Sequence, residues 1–189
     1  MSKSNLTEEK LDSYLFKCAD IIRNKVDSTD YKIYILPLVF LKIISDTYKD
    51  RYEEMLEKYV DEDIAKDPAF HNFQLPEGCL WEDIRATKSN LDQKINEVFN
   101  QIEKENPDKL QGVFRANFVD ADGLTHPVLK ELIEHLSSRN LSMEKVSPDL
   151  LGEGYMDMVK YFATEEGRQG GEFFTPSKIV KLVIDIIDP

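Results

Sequence analysis

Cysteine is scarce in this chain. Cys18 and Cys79 are the only two in 189 residues, too few for the disulfide framework of a small secreted domain. Histidine is nearly as sparse: His71, His126 and His135 form no metal-ligand spacing with either cysteine. Long apolar runs are missing too. The longest, Ile33 to Leu41, contains Pro37 and meets Lys42, whereas a membrane span takes about 20 residues. The amino terminus, MSKSNLTEEKLD, has no apolar signal region, so the expected location is cytoplasmic, away from membranes. Positive charge is in deficit, with 24 Lys and Arg against 36 Asp and Glu and a net charge of −12. Tight unaided binding to a nucleic-acid backbone is not expected at that balance, because phosphate affinity comes from clustered Lys and Arg. The opposite extreme, an acidic mimic of DNA, fits poorly, since carboxylates alternate with Lys and Arg along most of the chain as on a solvated surface.

What is present is apolar periodicity. A hydrophobic share of 41% with ten Phe and eight Tyr is enough for one folded core. Leu11, Tyr14, Leu15, Cys18, Ile21, Ile22 and Val26 repeat at steps of three and four and predict a helix with Thr7 as N-cap. After a break at VDSTDYK, where Ser28, Thr29 and Asp30 can all cap, nearly every residue from Ile33 to Ile44 is apolar. That pattern predicts a helix buried on most sides, kinked or started by Pro37. An amphipathic continuation carries Tyr48, Tyr52, Met55, Leu56 and Tyr59.

Residues 61 to 89 are irregular, and FQLPEGCLWEDI reads as a loop pinned by its aromatics. Helices are expected from about Leu91 to Ile102, from Thr125-His126-Pro127 through Leu136, from Ser147-Pro148 through Phe162, and from Thr175-Pro176 through Ile187. With no convincing strand pair, the predicted class is all-α, a bundle of six to eight helices.

Chemistry-bearing patterns are few. FVDADGLTHPVL has Gly123 at the sixth position of a calcium loop but Phe118 and Leu129 where carboxylates are needed, so it reads as a turn. Gly152 and Gly154 in LLGEGYMDM follow no strand and precede no Lys-Ser or Lys-Thr pair, which leaves a glycine-eased helix start or kink. Lys32, Lys42, Lys49 and Arg51 either line one face or are solvated singly. No self-sufficient catalytic site is legible.

The stretch from Gly167 to Ile187 stands apart: a glycine run, two adjacent aromatics and a Thr-Pro helix start in direct succession. Glycines let backbone approach closely, a helix N-terminus offers free N–H groups to a carboxylate, and Phe173 and Phe174 can wall a ring. On physics alone, a capped helix after a loop is the favoured account, because Thr-Pro helix starts are common.

The segment DLLGEGYMDMVKYFATEEGRQGGEFFTPSKIVKLVIDIIDP resembles the join in type I restriction-modification methyltransferase subunits, where a glycine loop leads into Gly-Glu/Gln-Phe/Tyr-Phe/Tyr-Thr-Pro and an amphipathic helix. DYKIYILPLVFLKIISDTY resembles the family's first core helix, with its Leu-Lys-x-x-Ser-Asp ending. The resemblance implies an N-terminal helical domain over 1–166. It further implies a connection and first helix over 167–189, leading to a Rossmann-like methyltransferase domain beyond Pro189. It also implies S-adenosyl-L-methionine contacts at Glu172, Phe173, Phe174, Thr175, Pro176 and Ser177. Many family members have Arg where this chain has Ser177, so there only a backbone contact carries over.

The implied reaction is methyl transfer to N6 of adenine in double-stranded DNA. The implied partners are a specificity subunit, a restriction subunit and a second copy of the methyltransferase subunit. This region is not catalytic alone, because the Asn-Pro-Pro-Tyr/Phe loop is not in it. The competing reading is a stand-alone acidic helical protein-protein interaction module without cofactor.

Overall fold

A computed structural model describes residues 8–27, 30–147, 150, 153–154 and 156–157. Seven α-helices occur among the described residues, with no strand: α1 Glu8–Ile22, α2 Tyr31–Tyr59, α3 Glu62–Ala65, α4 Trp81–Ala86, α5 Leu91–Glu105, α6 Pro107–Leu110 and α7 His126–Ser137. The all-α expectation holds. Thr7, Ser28 and Thr29, proposed as caps, lie outside the described residues.

Helix α2 is the axis of the bundle, about 44 Å long at 1.5 Å per residue. It runs on through Pro37, so the proline does not mark the start of the helix. The proline lacks the donor that would reach the Ile33 carbonyl. Ile33 lies on the exposed side of the helix, 43% accessible, where water can take that bond. Burial on most sides begins later than the apolar run does: Leu38, Val39 and Leu41 through Asp46 are all buried, whereas Lys32 and Ile33 are exposed.

Around α2 the expected apolar stripes face inward. Leu11, Leu15, Cys18 and Ile22 of α1 are buried, as are Leu91, Ile95, Val98, Phe99 and Ile102 of α5 and Leu129, Leu132, Ile133 and Leu136 of α7. Helix α1 packs on α7 and α2, and α4 bridges α2, α5 and α7. The first helix stops at Ile22 and does not reach Val26, because Asn24 adopts the left-handed conformation at φ 62°. Asn is among the few residues that tolerate it. FQLPEGCLWEDI is not wholly loop: Trp81 opens α4, with Asp83 accepting the Leu80 N–H at 3.0 Å, half of a capping box. Loop 111–125 is pinned by its aromatics. Phe114 stacks on Phe99 at 4.4 Å, and Phe118 meets Phe99 and Tyr34 edge-on at 6.0 and 5.3 Å.

The DADG stretch is a turn, and its glycine has a steric reason. A Cβ on Gly123 would sit 1.4 Å from the Lys25 carbonyl oxygen. The turn therefore lies directly on the backbone that links α1 to α2. Gly123→Ala is expected to force that backbone apart and cost about 1–3 kcal/mol, read as a lower urea midpoint. An unchanged midpoint contradicts the close packing.

Candidate functional site

The residues singled out as cofactor contacts, Glu172, Phe173, Phe174, Thr175, Pro176 and Ser177, lie outside the described residues, as does the 166/167 boundary. The structure describes how the bundle holds the chain that leads toward them, and that hold is built from polar residues in and beside the apolar stretch of α2.

Lys42, Ser45, Asp46 and Asp50 fall at steps of three and four, so they share one face of α2. Lys42, Ser45 and Asp46 are 4%, 1% and 5% exposed. Buried polar groups persist only when bonded, and each of these is. Lys42 Nζ pairs with Asp46 Oδ2 and stands 5.7 Å over the Trp81 ring. Ser45 Oγ accepts the Trp81 N–H at 2.8 Å, filling a donor that the start of α4 leaves open. The Trp81 indole N–H donates to Ser137 Oγ at 2.8 Å, and Ser137 donates in turn to the Ile133 carbonyl at 2.7 Å. One face of α2 thereby locks α4, and Trp81 carries the lock on to α7.

The same face grips the segment after α7. Asp46 Oδ2 accepts the Leu141 N–H at 2.7 Å. Thr47 Oγ1 accepts the Met143 N–H at 3.1 Å and donates to the Ile43 carbonyl at 2.7 Å. Asp50 accepts Asn140 Nδ2 at 3.0 Å and Ser142 Oγ at 2.6 Å, and pairs with Lys145 Nζ at 2.9 Å. Burial pushes the Asp46 carboxyl above its ordinary range, with Lys42 and the Leu141 N–H acting against it. For Asp50, burial also acts upward, but the bonds from Lys145, Ser142 and Asn140 outweigh it and hold the carboxyl below its usual value.

Beyond this grip, Ser147 Oγ accepts the Leu150 N–H at 3.2 Å, the cap expected at Ser147-Pro148. Gly154 lies against α1, where a Cβ would come within 3.1 Å of Leu11 and 3.2 Å of Leu15. The second glycine of LLGEGYMDM thus serves close packing.

No group of three or more His, Cys, Asp or Glu placed to hold a metal occurs among the described residues. His71 and His135 each direct Nε2 to a backbone carbonyl, of Ala65 at 2.7 Å and Tyr14 at 2.8 Å. Burial pushes the Cys18 thiol up to about 12, far from a thiolate nucleophile. A cleft of about 410 Å³ opens between α2 and residues 69–73, walled by Tyr48 stacked on His71 at 4.1 Å. It holds no nucleophile beside a base. The basic face considered for Lys32, Lys42, Lys49 and Arg51 does not form: Lys42 is internal, Lys49 pairs with Glu82 at 2.7 Å, and Arg51 is held by Glu54 and the Phe70 carbonyl. Sequence reasoning misses Asp46 and Asp50 as anchors of 140–145. The available signal is Lys42 and Asp46, one turn apart, inside an apolar stretch.

Comparison with known proteins places these features. The family model of the HsdM N-terminal domain matches residues 11–136, and that of N-6 DNA Methylase matches residues 146–189. The type I restriction enzyme MjaIX methylase subunit of Methanocaldococcus jannaschii is 27% identical over 97% of this chain and 36% of its own length. The MpnII methylase subunit of Mycoplasma pneumoniae is 27% identical over 95% of this chain and 40% of its own. The HindI methylase subunit of Haemophilus influenzae is 31% identical over 53% of this chain and 24% of its own. This chain thus spans two-fifths or less of those relatives. A solved type I restriction-modification methyltransferase subunit from Streptococcus thermophilus shares the fold, with TM-score 0.63 and 19% identity over 84% of this chain and 39% of that one. No helix among the described residues is long and apolar enough to cross a membrane.

The Asp50 cluster yields a pH dependence. A carboxyl whose folded pKa is lowered contributes stability above its ordinary value of 3.8 and loses it as pH falls through the lower folded value. Asp50→Asn, which cannot titrate, should be less stable than the parent by about 2 kcal/mol near neutral pH. That gap should close as both proteins are unfolded in urea at ~pH 2. A gap independent of pH contradicts the charge-based grip.

Proposed function

The chain belongs to the HsdM N-terminal domain family, and from that we propose that it is the N-terminal part of a type I restriction-modification DNA methyltransferase subunit. The whole protein transfers a methyl group from S-adenosyl-L-methionine to N6 of adenine in double-stranded DNA, in the cytoplasm. Its partners are a specificity subunit, a restriction subunit and a second methyltransferase subunit. Residues 1–166 form the helical domain, and 167–189 lead into the catalytic one.

The observation that carries this reading is the order of the two family matches, 11–136 and then 146–189, with the α2-held segment 140–145 between them. The bundle fixes the point from which the chain departs toward the cofactor segment. In that segment the Thr175 hydroxyl and the N–H groups after it are suited to a carboxylate, and Phe173 and Phe174 to an apolar wall. The cofactor supplies the methyl group. The residues of this chain orient it, and the target adenine has to leave the base stack to meet it.

The bundle itself is acidic; on α2, Lys49 and Arg51 are paired with carboxylates and Lys42 is buried against Asp46. It helps clamp DNA by shape and by joining partners, with phosphate contacts of its own few and local.

The test uses the full-length protein with its specificity subunit. Tritium from labelled S-adenosyl-L-methionine should enter adenine of duplex DNA. Thr175→Ala should weaken cofactor binding about tenfold, the worth of one charge-assisted hydrogen bond. If Thr175→Ala and Phe174→Ala alter stability but leave cofactor affinity untouched, the stand-alone interaction module is the better account.

A further inference from the structure

The corner between α2 and α3 is built against the chain's own preferences. Helix α2 ends on Val60, which takes the left-handed conformation at φ 54° and ψ 34° while its N–H bonds back to the Leu56 carbonyl at 2.8 Å. Among the described residues, the only other non-glycine residues at positive φ are Asn24 and Asn90, a type that tolerates it. A β-branched residue there is a genuine outlier, and glycine is the usual occupant of a helix end of this form. The valine side chain gains nothing in return from packing, being 85% exposed.

Its neighbours are apolar and exposed as well: Tyr59 at 40%, stacked on Phe70 at 5.9 Å, and Ile64 at 36%. Asp61, next in sequence, caps α3 by accepting the N–H groups of Asp63 and Ile64 at 2.8 and 3.2 Å. The corner that presents Val60 is therefore fixed. A strained backbone kept for a fully presented apolar side chain is the signature of a contact made outside the chain.

Charge decides the occupant. Residues 53–67 carry seven carboxylates against two lysines. Lys66 is paired with Glu62 at 3.1 Å and Lys58 lies over the Tyr59 ring at 4.9 Å. Glu57, Asp61 and Asp63, each within three residues of Val60 in sequence, are exposed. DNA phosphates are repelled by such a rim, and so is a second copy offering the same face.

We infer that the Tyr59–Val60–Ile64 corner is a docking site for a partner protein that presents an apolar side chain flanked by Lys or Arg, as on a basic amphipathic helix.

The experiment uses the full-length protein and, as probe, a fluorescent amphipathic Leu/Lys helical peptide of roughly 14 residues, with a Leu/Glu peptide of the same pattern beside it. The Leu/Lys peptide should bind saturably, weaken with added salt and far outbind the Leu/Glu peptide. Val60→Gly separates structure from contact. It relieves the left-handed strain and should raise the thermal midpoint by about 2–4 °C, yet it should weaken the peptide at least tenfold. Ile33→Asp, at an exposed apolar residue near the other end of α2, should leave binding unchanged. The proposal is overturned if Val60→Gly binds as tightly as the parent, if Ile33→Asp loses as much, or if the Leu/Glu peptide binds equally. It is also overturned if sedimentation shows the corner taken up by a second copy of the chain.

Discussion

The buried Lys42–Asp46 pair on α2 is the constraint around which the bundle is arranged. Two charges at 4% and 5% exposure are unfavourable in an apolar interior unless they meet each other and fill their remaining bonding capacity. Asp46 does so by reaching across to the Leu141 N–H, and Lys42 by lying over Trp81. The pair therefore dictates where α4 begins and where the chain after α7 must pass. Ser45, Thr47 and Asp50 extend the same face. Removing the charges from this helix would leave a greasy rod with many acceptable neighbours; with them, one register of neighbours satisfies every group.

The residues that carry the family resemblance in the central helix, Leu41, Lys42, Ser45 and Asp46, include the three that make these bonds. The motif thus has a mechanical meaning, in that it ties the outgoing strap 140–145 to the bundle axis. The strap so held ends where the N-6 DNA Methylase match begins, at residue 146.

Helix stripes are the most legible part of the sequence, because period and burial coincide in α5 and α7. Leu91 to Ile102 and Leu129 to Leu136 carry inward faces, as their spacing predicts. Pro37 misleads as a helix start because a missing hydrogen bond near the exposed end of a long helix is tolerated, and no local rule reports that Ile33 faces water. Trp81 reads as a loop anchor yet starts a helix. Its N–H partner, Ser45, is distant in sequence, and such a cap is invisible without the fold. The same holds for Asp50, whose partners Asn140, Ser142 and Lys145 come from the far side of α7. Gly123 is legible as a turn residue but not as a steric necessity, since the Lys25 carbonyl it touches belongs to another part of the chain. The proposed cofactor contacts Glu172 to Ser177 are legible only through resemblance, as a Thr-Pro helix start has an ordinary structural reading.

The most direct measurement of the central claim is the stability and amide exchange of Asp46→Ala. If the pair organises the bundle, this change strands a buried lysine and should cost about 3–5 kcal/mol in urea unfolding, and the Leu141 and Met143 amides should lose their protection together. A loss under about 0.5 kcal/mol, with those two amides exchanging as slowly as before, contradicts it.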